Sequence, residues 1–163
     1  ATIGADGRPR SRVVLLKETS QNGLVFFTHY TSPKGEELAA NPVASATFWW
    51  PGLMRQVRAV GAVTKLTRQE NETYFAKRPR ASQLGAWASR QSTPIVSHDD
   101  LLEAAAQASE RFEGKDVPCP PEWGGYRIDI DEFEFWQGQS GRLHDRVLAR
   151  RNVDGWSAIH IQP

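Results

Sequence analysis

The sequence predicts a mainly β protein, a small antiparallel barrel carrying peripheral α-helices. Three observations support this. Apolar and β-branched runs outnumber helical patterns along the 163 residues. Compact turn signals, Asp6-Gly7, Asn22-Gly23 and Pro51-Gly52, separate several of these runs. Only three segments carry both a helix start and a helix stop.

Residues 1–3 and 10–16 read as two strands joined around Asp6-Gly7, and Asn22-Gly23 turns the chain into a strand over 24–28. A helix follows: Ser32 is a good N-cap, Pro33 suits the first helical position, and Pro42 forbids continuation beyond Asn41. Residues 44–49 and 56–65 read as strands flanking Pro51-Gly52. Thr67 with Glu70 forms a capping box for a second helix, which stops near Arg78, ahead of Pro79. Ser97 opens the third, with Asp99 and Asp100 in its first turn and Gly114 as its stop. Leu101, Ala104, Ala105, Ala108 and Phe112 form its apolar stripe. The Pro-rich stretch 117–121 is a connector, and strands at 126–130, 132–136, 143–150 and 156–161 complete the order.

The length suits one domain over 1–163. A net charge of +1 gives no global field, which argues against nucleic acid or an anionic membrane as partner. No apolar run approaches a membrane span, and no signal-peptide pattern opens the chain. The start at Ala1-Thr2-Ile3 reads as a strand already under way, so further chain is expected upstream. The lone Cys119 excludes an internal disulfide or a cysteine-based metal cluster and suits a reducing compartment. Cytoplasmic location is the expectation. His29, His98, His144 and His160 lack metal-ligand spacing, and neither a glycine-rich phosphate loop nor a nucleophile elbow occurs, so no metal is expected.

Five constellations can carry chemistry. In residues 133–146, an extended Arg142–Arg146 segment would project Arg142, His144 and Arg146 from one face, which calls for an anion between them. The alternative is a solvated edge strand. Lys34 stands at a helix N-terminus, where like charge meets like unless a phosphate intervenes; otherwise it is a lysine pointing into water. Arg12 and Lys17 bracket an apolar run and, five apart on a strand, face opposite sides. Tyr74 and Arg78 share a helical face, and with Ser82 they suit a phosphate ester; the alternative is a surface cation stacked on Tyr74. Gln56, Gln91 and Ser92 can read the polar edge of a heterocycle, or are ordinary surface polarity.

Taken together, these segments resemble the pyridoxamine 5′-phosphate oxidase family from Arg12 almost to Pro163. The Glu134-Phe135-Trp136-Gln137 and Arg142-Leu143-His144-Asp145-Arg146 stretch lies close to its signature. Arg55-Gln56-Val57, Arg78-Pro79-Arg80 with Ser82-Gln83, and Trp123-Gly124-Gly125-Tyr126 follow its order. The resemblance implies an FMN-binding split β-barrel that forms homodimers, with FMN in clefts between subunits. It implies oxidation of pyridoxamine or pyridoxine 5′-phosphate to pyridoxal 5′-phosphate, with O2 as acceptor and H2O2 as product.

By resemblance, Arg12 and Lys34 hold the FMN phosphate. Val13, Val14, Leu15, Leu16, Lys17, Phe27 and Thr28 line the cofactor, and Gln56, Gln91, Ser92, Trp136 and Arg146 complete its site, some from the partner chain. Lys17, Tyr74, Arg78 and Ser82 grip the substrate phosphate. Arg142 and His144 flank the pyridine ring as the catalytic pair, with His144 orienting substrate or relaying a proton.

Three departures stand out. Pro33 replaces a phosphate-binding Arg, Phe27 replaces a frequent Tyr, and the ending His160-Ile161-Gln162-Pro163 lacks the usual Arg. The family's N-terminal segment is also missing. Weaker FMN and substrate binding is expected. Competing readings are a related flavin oxidase of phenazine-biosynthesis type, a non-catalytic flavin-binding barrel, and an RNA-binding barrel that the near-neutral charge disfavours.

Overall fold

A computed structural model describes residues 1–21 and 23–163. Its described residues form nine strands, four α-helices and two short 3₁₀ turns. β1 (Thr2–Ile3) pairs with β2 (Pro9–Arg10) around Asp6-Gly7, with Gly7 at φ +75°. The strand expected over 10–16 stops at Arg10. Residues 11–17 run without a ladder until the Lys17 N–H donates to the Val25 carbonyl at 2.9 Å. The sequence there favours extension, but no strand of the described residues pairs with it. The expected Asn22-Gly23 turn falls on Asn22, outside the described residues, and Gly23 opens β4.

β3 (Glu18–Ser20), β4 (Gly23–His29), β5 (Val43–Trp50), β6 (Arg55–Lys65), β7 (Trp123–Gln137), β8 (Asp145–Asn152) and β9 (Gly155–His160) form one antiparallel sheet. β7 replaces the two strands expected at 126–130 and 132–136. One of its edges pairs with β6 along most of its length. The other pairs first with β4, over 123–128, then with β8, over 132–137. Where the partner changes, the β6–β7 register shifts between Val60 and Gly61, a bulge that bends the sheet. Gly61 permits this approach, since a Cβ there would lie 2.2 Å from the Asp129 carbonyl oxygen. The sheet thus curls into a half-barrel whose strands part at one end.

Leu24, Phe26, Leu38, Ala44, Ala59, Val63, Tyr126, Ile128 and Ile130 fill the curl. Each large apolar side chain so buried contributes roughly 1.5–3 kcal/mol. Burial also pushes the Tyr126 phenol up to about 12.

α1 (Pro33–Ala40) starts at Ser32, whose hydroxyl accepts from the Gly35 N–H, and α2 (Arg68–Ala76) starts with the expected Thr67–Glu70 capping box. α4 (His98–Arg111) begins at a second box, Ser97–Asp100, and turns the expected stripe inward. α3 (Arg80–Ala88) is a helix that sequence reading missed. Pro79 forbids α2 from continuing and is also the residue immediately before α3, so one proline marks both boundaries. α2, α3 and α4 enclose a second core of Phe75, Ala86, Phe112, Val117, Cys119 and Trp123. No helix of the described residues is long and apolar enough to cross a membrane. Val13, Leu15, Trp49, Phe135, Trp156 and Ile159 are among the large apolar side chains that this single chain leaves exposed.

Candidate active site

A cleft of about 1040 Å³ opens between residues 12–17, the start of α1, the end of β4 and the α2–α3 junction. Of the residues expected at a site, Arg12, Val13, Val14, Leu15, Lys17, Phe27, Thr28, Lys34, Tyr74, Arg78, Ser82, Gln91 and Ser92 line it. Leu16 instead faces the hollow of the half-barrel with Leu24 and Phe26. Leu15 and Lys17 line the cleft and Leu16 between them faces the other way, as on any extended chain.

Lys34 is not a lysine pointing into water. It is buried at the start of α1, and its ammonium donates to Thr28 Oγ1 at 3.0 Å, Ser32 Oγ at 3.3 Å and Gln91 Oε1 at 2.9 Å. All three acceptors are neutral. Burial, then the charge of Arg12, lowers its pKa from the ordinary lysine value. Arg12 is held from below: its guanidinium donates to Thr2 and, at 3.0 Å, to Glu37 Oε2. Glu37 is buried one helical turn after Lys34 and also meets Arg10 at 3.4 Å. Burial pushes Glu37 up, but the bonds from Thr2 and Arg12 outweigh it and leave its pKa low.

At the α2–α3 junction, Arg78 lies beyond the last helical residue, Ala76, so helical geometry does not pair it with Tyr74. Its guanidinium stacks on Trp123, 4.7 Å from the ring centroid, rather than on Tyr74. Its Nη1 is buried and has no hydrogen-bond partner. Burial lowers its pKa without removing its charge. His29 lines the cleft between these cations, and burial, then Arg78 and Lys34, lower its pKa.

Gln56, Trp136, Arg142, His144 and Arg146 lie outside this cleft, gathered where β6, β7 and β8 meet. Gln56 is opposite Trp136 and Trp136 opposite Arg146 in the ladders, and the His144 ring sits 4.6 Å from that of Trp136. The expected alternation of Arg142, His144 and Arg146 does not occur. Ser140–Arg142 is a 3₁₀ turn with Arg142 at φ +61°, and β8 starts only at Asp145. Arg146 already has an internal anion, Glu134, whose Oε1 accepts from Nε at 2.9 Å and Nη2 at 2.7 Å. Arg58 meets the other oxygen of Glu134 at 2.8 Å. The Gln139 N–H donates to His144 Nδ1 at 3.2 Å, so neutral His144 carries its proton on Nε2.

Sequence reasoning assigned no role to Glu37, Glu134, His29 or Trp123. Glu37 had one available signal, its i,i+3 spacing from Lys34 on a capped helix.

A curled half-barrel with a cation-lined cleft and exposed large apolar side chains belongs to the split-barrel class. A pyridoxamine 5′-phosphate oxidase-related, FMN-binding protein from Nostoc punctiforme shares this fold, with a TM-score of 0.78 at 18% identity over 99% of this chain and 85% of that one. The family profile described as pyridoxamine 5′-phosphate oxidase matches residues 1–112. The profile of the pyridoxine 5′-phosphate oxidase C-terminal dimerisation region matches 123–163. The chain belongs to the pyridoxine/pyridoxamine 5′-phosphate oxidase family.

Among its relatives, the enzyme of that name from Rubrobacter xylanophilus is 49% identical over 163 residues, covering 100% of this chain and 75% of the relative. The one from Mycolicibacterium smegmatis is 52% identical over 163 residues, covering 99% and 69%. The crystal structure of PhzG from Burkholderia lata, in complex with tetrahydrophenazine-1-carboxylic acid, matches with a TM-score of 0.93. It is 33% identical over 99% of this chain and 79% of that one.

Proposed function

We propose that the protein is an FMN-dependent oxidase that converts pyridoxamine or pyridoxine 5′-phosphate to pyridoxal 5′-phosphate, with O2 as acceptor and H2O2 as product. One observation carries this reading: besides the exposed Lys17 and Lys77, a single cleft holds the buried Lys34 and the partly buried Arg78, and no carboxylate of the described residues pairs with either. Two anionic esters, one on the cofactor and one on the substrate, suit such a cleft.

The chain's residues fit FMN. Lys34 offers a buried ammonium with only neutral acceptors around it, and Arg12 adds a guanidinium whose charge Glu37 shares. The start of α1 adds the partial positive charge of a helix N-terminus. Val13, Val14, Leu15, Lys17, Phe27 and Thr28 would line the cofactor, with Gln91 and Ser92 at its polar edge. When bound, FMN supplies the two-electron acceptor and the route to dioxygen.

Tyr74, Arg78 and Ser82, with Lys17, would hold the substrate phosphate. Arg78 Nη1 is the donor that now lacks an acceptor. In a homodimer, Gln56, Trp136, Arg142, His144 and Arg146 would complete the cleft of a second copy; the match to a dimerisation region over 123–163 supports this. Arg142 makes no ion pair with any described residue, which leaves its charge available to the ring. His144 would present Nε2–H to the substrate and orient it there. Arg146, neutralised by Glu134, would contribute shape and donors more than net charge.

The likeness to PhzG favours a second reading, oxidation of a carboxylated tricyclic ring. A carboxylate could also answer Arg78. The higher identity to relatives named for the B6 reaction supports the first. Purification, a visible spectrum and a peroxide assay decide between them. Yellow protein that yields peroxide with pyridoxine 5′-phosphate supports the proposal. Protein that gains no flavin on soaking, or that turns over only phenazine precursors, overturns it.

A further inference from the structure

We propose that Trp123 is a positioning residue that aims Arg78 at the ligand phosphate and so sets the preference for phosphorylated over unphosphorylated ligands. The proposal rests on the reading of Tyr74, Arg78 and Ser82 as the phosphate grip.

Arg78 lies beyond the end of α2, where no helical turn fixes its side chain, and no carboxylate pairs with it. Its guanidinium is held instead by ring faces, 4.7 Å from the centroid of Trp123 and 5.4 Å from that of Phe75. A carboxylate in that place would also hold Arg78 but would cancel the charge an anionic ligand needs. An aromatic face attracts the cation through its quadrupole and leaves the N–H donors free, and indole does this best.

Trp123 is itself immobile. It is buried at the start of β7, its backbone N–H donates to the Pro120 carbonyl at 3.2 Å, and the Phe75 ring meets its indole edge-on at 5.0 Å and 72°. Phe27 stacks on Tyr74 at 3.9 Å and 10°, and Trp123 lies nearly parallel beside that pair, 5.1 Å from Phe27 and 6.2 Å from Tyr74. One cluster of near-parallel rings therefore packs against both the phenol and the guanidinium of the grip. Phe27 serves that cluster through its ring face, for which a hydroxyl is not required.

The test uses full-length FMN-loaded wild type, W123F and W123L. Calorimetry measures binding of 4-deoxypyridoxine 5′-phosphate and 4-deoxypyridoxine, neither of which can be oxidised at C4′. W123L is expected to weaken the phosphorylated ligand about tenfold or more and the other less than about twofold, with W123F keeping most of the preference. If W123L does not fold, W123F carries the test through a loss of about threefold confined to the phosphorylated ligand. Equal weakening of both ligands, or an unchanged preference, overturns the role of Trp123 while the phosphate grip stands. A wild type that binds both ligands equally overturns the grip, and the proposal with it.

Discussion

Lys34 Nζ donates to Gln91 Oε1 at 2.9 Å, tying the start of α1 to a segment 57 positions further along the chain. The same oxygen accepts from Thr28 Oγ1 at 2.6 Å and from the His29 N–H at 3.4 Å. An amide oxygen can hold an ammonium without neutralising it. The cleft thus keeps a buried positive charge in place and available to an anion.

Gln91→Glu is therefore expected to act in opposite directions on the empty and loaded protein. The new carboxylate pairs Lys34 and raises the melting temperature without FMN. It weakens FMN by roughly tenfold or more, on the scale of a lost charge-assisted contact. Flavin-fluorescence titration and thermal melts read both. FMN affinity equal to wild type would refute the idea.

Arg78→Ala removes the one cation at the α2–α3 end of the cleft that has an unpartnered buried donor. Hydrogen bonds to charged groups are worth roughly 1.5–3 kcal/mol, so KM for pyridoxine 5′-phosphate should rise by about tenfold or more. Flavin content should not change. Parallel loss of flavin would show that Arg78 serves the cofactor instead.

His29 gives the protein an acid-side liability. Burial and the facing charges of Arg78 and Lys34, opposed by Glu122, hold its folded pKa below the ordinary 6.5. Between those two values the unfolded chain binds more protons, so stability falls as pH drops below about 6.5. Wild type and His29→Asn should differ by a constant amount above about pH 7.5, and wild type should lose ground to the variant towards about pH 5. Thermal melts across that range check this, and parallel curves would contradict it.

Glu134 accepts from Arg146 at 2.7 Å and from Arg58 at 2.8 Å, each across a β ladder. Glu134→Ala leaves two like charges facing a buried gap. Because both arginines are partly exposed, a loss of about 2 kcal/mol is expected rather than the full amount for a sealed pair. Urea unfolding measures it. A change under about 0.5 kcal/mol would mean that solvent already screens the pair.

Pro33→Arg adds a cation at the first position of α1, on the cleft wall, where the family resemblance leads one to expect an Arg. FMN should bind about three- to tenfold more tightly, since Arg adds a forked donor. No gain in affinity would mean that Arg12 and Lys34 already saturate the phosphate.

Much of the fold was legible because its causes are local. Ser32-Pro33, Thr67 with Glu70 and Ser97 with Asp100 each satisfy helix N–H groups within three residues, and each opens a helix as expected. α3 escaped because Pro79 serves two helices at once. Residues 11–17 misled because an apolar, β-branched run becomes a strand only beside a partner, and the described residues provide none. The candidate site residues came from motif order, and the cleft gathers most of them; Leu16 faces the half-barrel hollow, and the others group at the far end of β7.

By itself, the sequence determined where α1, α2 and α4 start, where the Asp6-Gly7 turn falls and which side chains carry charge, since those depend on neighbours a few positions away. Tertiary structure alone decided which charges stay unpaired. Arg146 is neutralised by a carboxylate on the adjacent strand, Arg12 shares one from α1, and Lys34 and Arg78 meet only neutral oxygens and ring faces. Whether a cation is available to a ligand depends on distances closed by folding across tens of residues, and spacing along the chain does not encode them.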